Sequence, residues 1–427
     1  MRSTIVALCS VTLALTLAVA QPVSAPPAAP LPATEPPPAG DPSIDLQTNA
    51  RFALLMDFES GNVLFSKDGD QPMPPASMAK LMTVAILFEK LKHGDLKLDD
   101  TFTVSEKAWR TSVAGKNESS KMFVSIGSQI RVEDLLHGII IQSGNDACTV
   151  VAEHFSGSEE AFSDLMNAEA KKIGLVNSHF KNASGLPDPD MHVTAHDLAK
   201  LAAYIIREFP EQYHIFSERE FTWNKIKQPN RNLLLGSYPG ADGLKTGHTE
   251  LSGYGMVASA VQEGRRLVLV ENGLANEAER AAEAKRLLDL GFREFRSYAL
   301  LKAGETVGEA EVWAGEQRSV PLSVRQPVTL LMRRSSREGL KVKLSYLTPV
   351  VPPIARGQEL GTLTISAPGV PEKTVPVFAG ADVEAGGLMT QIKVGLKGIL
   401  SKDPEPAPTS QDVTLPADDK PTDPPAP

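Results

Sequence analysis

A chain of 427 residues with 42% hydrophobic content is long enough for two folded domains plus tails. Its formal net charge of -9 leaves no broad basic surface to neutralise phosphates, and aromatic residues, at 6%, supply no stacking platform. No nucleic-acid partner is therefore expected.

The N-terminus carries Arg2, an apolar run from Ile5 to Val19, and the small residues Ala18 and Ala20 ahead of Gln21. This is the pattern of a secretory signal peptide over residues 1–20, and the run is short for a spanning helix. Export would place the mature chain outside the cytoplasm. Of the two cysteines, Cys9 leaves with the signal, and Cys148, in an apolar helical run, reads as a small buried hydrophobe.

Residues 21–45, dense in proline and alanine, read as an extended linker. The fold begins after it, with a β-hairpin turning at Gly61 and Asn62. Pro74 and Pro75 cannot sit inside a helix, whereas Met78 to Leu87 read as helical, so Ser77 falls in the first turn and Lys80 lies one turn on, on the same face. Taken alone, such a pair is usually a helix cap and a solvated lysine.

From Arg131 to Phe155 helical periodicity is broken at Gln142-Ser143-Gly144-Asn145, which places Ser143 and Asn145 on a tight interhelical turn. Ser158 to Ile173 is another helix. Thr194 and Asp197 form a capping-box pattern opening a helix that runs to about Phe209. Thr194 falls between His192 and His196, so these two histidines do not share a helix face, and no metal site is expected. The segment Asp242–Thr249 leads into a strand pair joined by a turn at Glu263-Gly264, with Lys245 near the start of the first strand. A long helix from about Asn276 to Ser297 closes the region. Helices before and after one sheet built from both ends of the sequence imply an α/β-type (α+β) layered domain, over residues 46–298.

Short β-like runs split by Gly, Pro and charge then predict a small all-β domain over residues 299–382. Over residues 383–401, Leu388, Met389, Ile392, Leu396, Ile399 and Leu400 fall on one helical face edged by Lys393 and Lys397. That stripe fits a membrane interface and equally a helix packed on the β domain. Residues 402–427, rich in Pro and Asp, are expected to be disordered.

Three short motifs stand in order: Ser77-x-x-Lys80, Ser143-Gly-Asn145 and Lys245-Thr-Gly247. This ordered trio is that of the serine acyl-transferases, which include penicillin-binding proteins and class A β-lactamases. With Ser143-Gly-Asn-Asp-Ala147, Asp242-Gly-Leu-Lys-Thr-Gly-His-Thr249, Asn230-Arg-Asn232, a β-rich module and a terminal amphipathic stretch, residues 46–400 resemble a low-molecular-mass penicillin-binding protein of the D-alanyl-D-alanine carboxypeptidase family. The resemblance implies a β-lactamase-like catalytic domain with an antiparallel sheet flanked by helices. It also implies a cofactor-free peptidoglycan enzyme that removes the terminal D-alanine from stem pentapeptides and is acylated by β-lactam antibiotics.

On that resemblance Ser77 is the nucleophile, Lys80 its base, Ser143 a proton relay to the leaving nitrogen, and Asn145 a partner of Lys80 or of the substrate amide. Lys245, Thr246 and Arg231 would take the substrate carboxylate, and the backbone N–H groups of Ser77 and His248, flanking Gly247, the oxyanion. The terminal stretch would attach the enzyme peripherally to the outer face of the cytoplasmic membrane. A class A β-lactamase needs a deacylating glutamate after the Ser-x-Asn turn, and residues 171–190 contain none.

Overall fold

The computed structural model describes residues 47–113, 120–387 and 407–415. The expected signal peptide, the linker over 21–45 and the amphipathic stretch from Leu388 onward lie outside the described residues. Among the described residues, no helix is long and apolar enough to cross a membrane.

The layered unit is built on one five-stranded antiparallel sheet in the order Val63–Lys67, Phe52–Asp57, Arg265–Leu274, Gly253–Gln262, Ala241–Thr249. The N-terminal hairpin thus completes a sheet whose other three strands lie some 200 residues further along the chain, as expected. Alternate residues of each strand face opposite ways. Leu55, Leu267 and Leu269 meet Ala284, Leu287 and Leu288 of the helix Glu277–Glu294 on one side. Leu54, Val268 and Val270 meet the main helical layer on the other. The helix Lys80–Lys92 runs through that layer with every residue from Lys80 to Phe88 buried, so its sequence is apolar all round rather than amphipathic.

Where a strand pair was expected after Gly240, the chain makes a three-stranded meander. The Asp242–Thr249 motif is a strand of its own at the sheet edge, in register Lys245↔Val257 and Gly247↔Gly255. Its glycines and buried polar residues hide the usual apolar alternation. The last helix ends at Glu294 rather than Ser297, because Phe295–Leu301 is already a strand paired with Val328–Arg333.

The β region has its own core, including Val320, Leu322, Leu344, Leu363 and Ile365. It is a six-stranded sheet in the order Thr306–Glu311, Ser319–Ser323, Val370–Ala379, Glu359–Ala367, Lys341–Thr348, Ala407–Asp412. Two expectations change here. Val383 and Ala385, placed at the start of the amphipathic helix, are extended and pair with Ile354 and Gly315. Ala407–Asp412, expected to be disordered with the rest of the tail, forms the edge strand against Lys341–Thr348. The physical reason is that an edge strand needs hydrogen-bonding groups on one side only, so Pro408 is tolerated there and the unpaired edge of Lys341–Thr348 is covered.

Candidate active site

Ser77 sits in a 3-10 turn, Ala76–Ala79, that feeds directly into the helix Lys80–Lys92. It is not a cap: no side-chain capping bond is made at this helix start. Lys80 is 0% exposed, so the solvated-lysine alternative fails as well. Its Nζ bonds Ser77 Oγ at 2.9 Å, Asn145 Oδ1 at 2.7 Å and the Ser184 carbonyl at 2.5 Å. Burial pulls its pKa from 10.5 to about 8, helped by the charge on Arg231 and opposed by Cys148 and Asp146. A lysine in that range releases its proton at accessible pH, and the freed lone pair has the Ser77 hydroxyl as its neighbour.

The turn Ser143–Asn145 is held from outside the motif. Asn145 donates its backbone N–H to Ser120 O, and Gly144 to Gly138 O, both at 2.9 Å. Asp146, which sequence reasoning passed over, accepts from the backbone N–H groups of Met122 at 2.8 Å, Phe123 at 2.9 Å and Val124 at 3.2 Å. Ser143 adopts the left-handed region at φ 60. Its Oγ is buried and has no hydrogen-bond partner among the described residues. Among the described residues, therefore, Lys80 is hydrogen-bonded by Asn145 and not by Ser143.

Lys245 is buried on its edge strand, where Nζ bonds the Thr246 carbonyl at 3.1 Å. Burial, then the charges of Lys80 and Arg231, hold its ammonium well below the usual lysine range. Thr246 is buried beside it. Gly247 passes so close to the Ser77 turn that a Cβ there would lie 3.1 Å from Ala76 Cβ and 3.2 Å from Ser77 N. A side chain there would have to push the turn back by a few tenths of an ångström, so glycine lets the strand run close against Ser77 N. His248 is exposed, and its imidazole stacks on Tyr254 at 3.9 Å.

Arg231 reaches across to Ser120 Oγ at 2.6 Å. Its loop is fixed by Asn232, whose place in Asn230-Arg-Asn232 gave no such role, and by Arg280, which no motif signals: Asn232 Nδ2 bonds Gly243 O at 2.9 Å, and Arg280 Nη2 bonds Arg231 O at 3.3 Å. The Ser184 carbonyl on Lys80 was likewise unforeseen. Asn182 Oδ1 gathers the N–H groups of Ser184, Gly185 and Leu186 to present it, an Asx-type turn that the run Asn182-Ala-Ser-Gly185 could have signalled. His192 and His196 separate, His196 bonding Asp70 at 3.0 Å. Cys148 is buried in the helix Asn145–Ser156, and its thiol is pushed up to about 12 by that burial, which keeps it unreactive.

Residues 37–274 match the family described as D-alanyl-D-alanine carboxypeptidase, and residues 295–385 match the penicillin-binding protein 5 C-terminal domain. The chain belongs to the D-alanyl-D-alanine carboxypeptidase family. Among its relatives, D-alanyl-D-alanine carboxypeptidase DacC of Escherichia coli is 39% identical over 82% of this chain and 87% of its own length. DacA of Haemophilus influenzae is 37% identical over 83% and 88%. Penicillin-binding protein 5 from Haemophilus influenzae superposes with a TM-score of 0.66 at 37% identity, covering 79% of this chain and 98% of that one. Penicillin-binding protein D2 from Listeria monocytogenes, solved in an ampicillin-bound form, superposes with a TM-score of 0.52 at 28% identity over 58% of this chain and 100% of that one. In this carboxypeptidase-family member, the motifs of three distant segments meet around one buried lysine.

Proposed function

We propose that this chain is a serine-type D-alanyl-D-alanine carboxypeptidase that removes the terminal D-alanine from peptidoglycan stem pentapeptides. The observation that carries the reading is the fully buried Lys80 bonded to Ser77 Oγ at 2.9 Å, with its pKa drawn down to about 8. Neutral Lys80 takes the Ser77 proton as Oγ attacks the carbonyl of the penultimate D-alanine. The oxyanion that forms is held by the N–H groups of Ser77 and His248, a role supported by the close passage of Gly247 past Ser77 N. Ser143, whose hydroxyl has no hydrogen-bond partner among the described residues, passes the proton to the leaving D-alanine nitrogen, and Asn145 keeps Lys80 in place. Lys245, Thr246 and Arg231 hold the terminal carboxylate, for which the planar arginine fork is suited. The acyl bond to Ser77 is then hydrolysed by water. A β-lactam would take the same path as far as the acyl-enzyme and remain there.

The enzyme works outside the cytoplasm after export by the segment 1–20, and the stretch from Leu388 to Leu400 attaches it peripherally to the membrane surface. The sequence pattern supports this part, and a chain lacking residues 385–401 would then leave the membrane fraction.

The test is intact-mass measurement after incubation with a labelled penicillin, together with assay of D-alanine from a stem pentapeptide. One stable adduct, lost in Ser77→Ala, with D-alanine release, is the expected result. Fast antibiotic turnover without D-alanine release would mark a β-lactamase instead, and absence of any adduct would mark a non-catalytic cell-wall binder.

A further inference from the structure

We infer that Asn272 is a positioning residue for the nucleophile: its side-chain amide holds the Pro74 carbonyl, and with it the turn from which Ser77 is presented. The inference rests on the reading of Ser77 as the acylated residue.

The segment entering that turn has few means of fixing itself. Met73 is tied to Val193 by a pair of backbone bonds, N to O at 2.8 Å and O to N at 3.0 Å. Pro74 and Pro75 have no N–H, so across these two residues only carbonyls are left as handles. The Pro75 carbonyl takes Met78 N at 3.2 Å, inside the turn itself. The Pro74 carbonyl takes Asn272 Nδ2 at 3.0 Å, a bond spanning 198 residues of sequence. Two residues further on, beyond Pro75, Ala76 is held in the left-handed region at φ 47, where a residue with a Cβ stays only if its surroundings force it. The amide therefore ties the start of the proline pair to the central sheet, two residues before the strained residue that aims Ser77.

Where Asn272 sits makes the anchor a stiff one. It lies on Arg265–Leu274, the middle strand of the five, and is 0% exposed. Its amide orientation is fixed by chemistry, because both groups on the nitrogen side, Pro74 O and Met73 Sδ, are acceptors. On the other side Oδ1 is buried with no partner among the described residues. An apolar side chain of similar shape would avoid burying that unsatisfied oxygen, so packing alone disfavours asparagine here. What asparagine supplies and a leucine does not is the donor to Pro74.

The experiment uses the full chain and a fluorescent penicillin, resolving the dissociation constant of the first complex from the acylation rate constant. Asn272→Leu should lower the acylation rate constant about tenfold or more while leaving the dissociation constant within about twofold and the melting temperature no lower, because the reacting atoms are misaligned while the site persists. Asn272→Asp adds a pH readout: a carboxylic acid donates to the Pro74 carbonyl only while protonated, so the rate of this variant relative to wild type should fall as pH rises. An Asn272→Leu rate within about twofold of wild type overturns the inference, and so does an Asn272→Asp ratio flat with pH. Should the leucine variant not fold, the pH ratio alone decides. A wild-type chain that takes up no penicillin would instead overturn the reading of Ser77, and the role of Asn272 with it.

Discussion

The Nζ of Lys80 lies 2.5 Å from the backbone carbonyl of Ser184, 104 residues away in sequence. With Asn145 Oδ1 at 2.7 Å this gives the amine two fixed acceptors, and its third direction is left to Ser77 Oγ. A charged Lys80 donates along all three. Loss of one proton turns the lone pair toward Ser77 while the other two bonds keep the nitrogen in place.

Acylation should therefore follow the titration of Lys80. Its pKa lies below the ordinary 10.5, at about 8, because burial disfavours the ammonium. Below that value the base is protonated and inactive, so the second-order rate of penicillin acylation should climb about tenfold per pH unit on the acid side and level off above pH 8. Stopped-flow acylation between pH 6 and 10 checks it. A rate already flat from about pH 6 would remove Lys80 as the base.

The Ser184 carbonyl belongs to a loop that packs against the turn carrying Ser77. Gly185 has φ 79, and a Cβ there would fall on the Ala76 carbonyl. Gly185→Ala should displace either that carbonyl or the Ser184 carbonyl on Lys80, cutting acylation by about a hundredfold. The helical circular dichroism signal should persist.

Glu271 is buried on the sheet face under the helix Glu277–Glu294, and neither carboxylate oxygen has a hydrogen-bond partner among the described residues. Burial, then the charge of Glu283, raises its pKa well above 4.5. A raised carboxyl pKa means that the unfolded chain ionises first. From about pH 4.5 upward, stability is lost at up to about 1.4 kcal/mol per pH unit until the folded carboxyl also ionises. Glu271→Gln removes that slope, so the variant should gain on wild type as pH rises and show no such gain below pH 4.5. Denaturant titrations at several pH values measure the difference.

Deleting residues 405–427 removes the edge strand Ala407–Asp412 and bares Lys341–Thr348. Carboxypeptidase activity should be unchanged. Amides of Lys341–Thr348 should exchange faster with solvent, and the β region should lose about 1–2 kcal/mol or aggregate more readily, as uncovered edges do.

The sheet, its two helical layers and the β region were legible because apolar periodicity and turn residues mark them locally. The strand Ala241–Thr249 was blurred because the residues it carries for chemistry are the ones that break a strand pattern. The tail strand was hidden because its composition signals disorder, while its pairing depends on an edge 59 to 69 residues earlier in the chain.

Sequence alone determined the order and spacing of Ser77-x-x-Lys80, Ser143-Gly-Asn145 and Lys245-Thr-Gly247, since each is a local pattern on a helix start, a turn or a strand. Whether Lys80 is a buried, hydrogen-bonded amine or a solvated ammonium was decided by the tertiary structure. Its pKa is set by loss of water, and its geometry by acceptors 65 and 104 residues away. The roles of Ser184, Asp146 and Asn272 depend on tertiary contacts in the same way: each acts through one hydrogen-bonding group brought to the site by folding, and such a group leaves no periodic trace in the sequence.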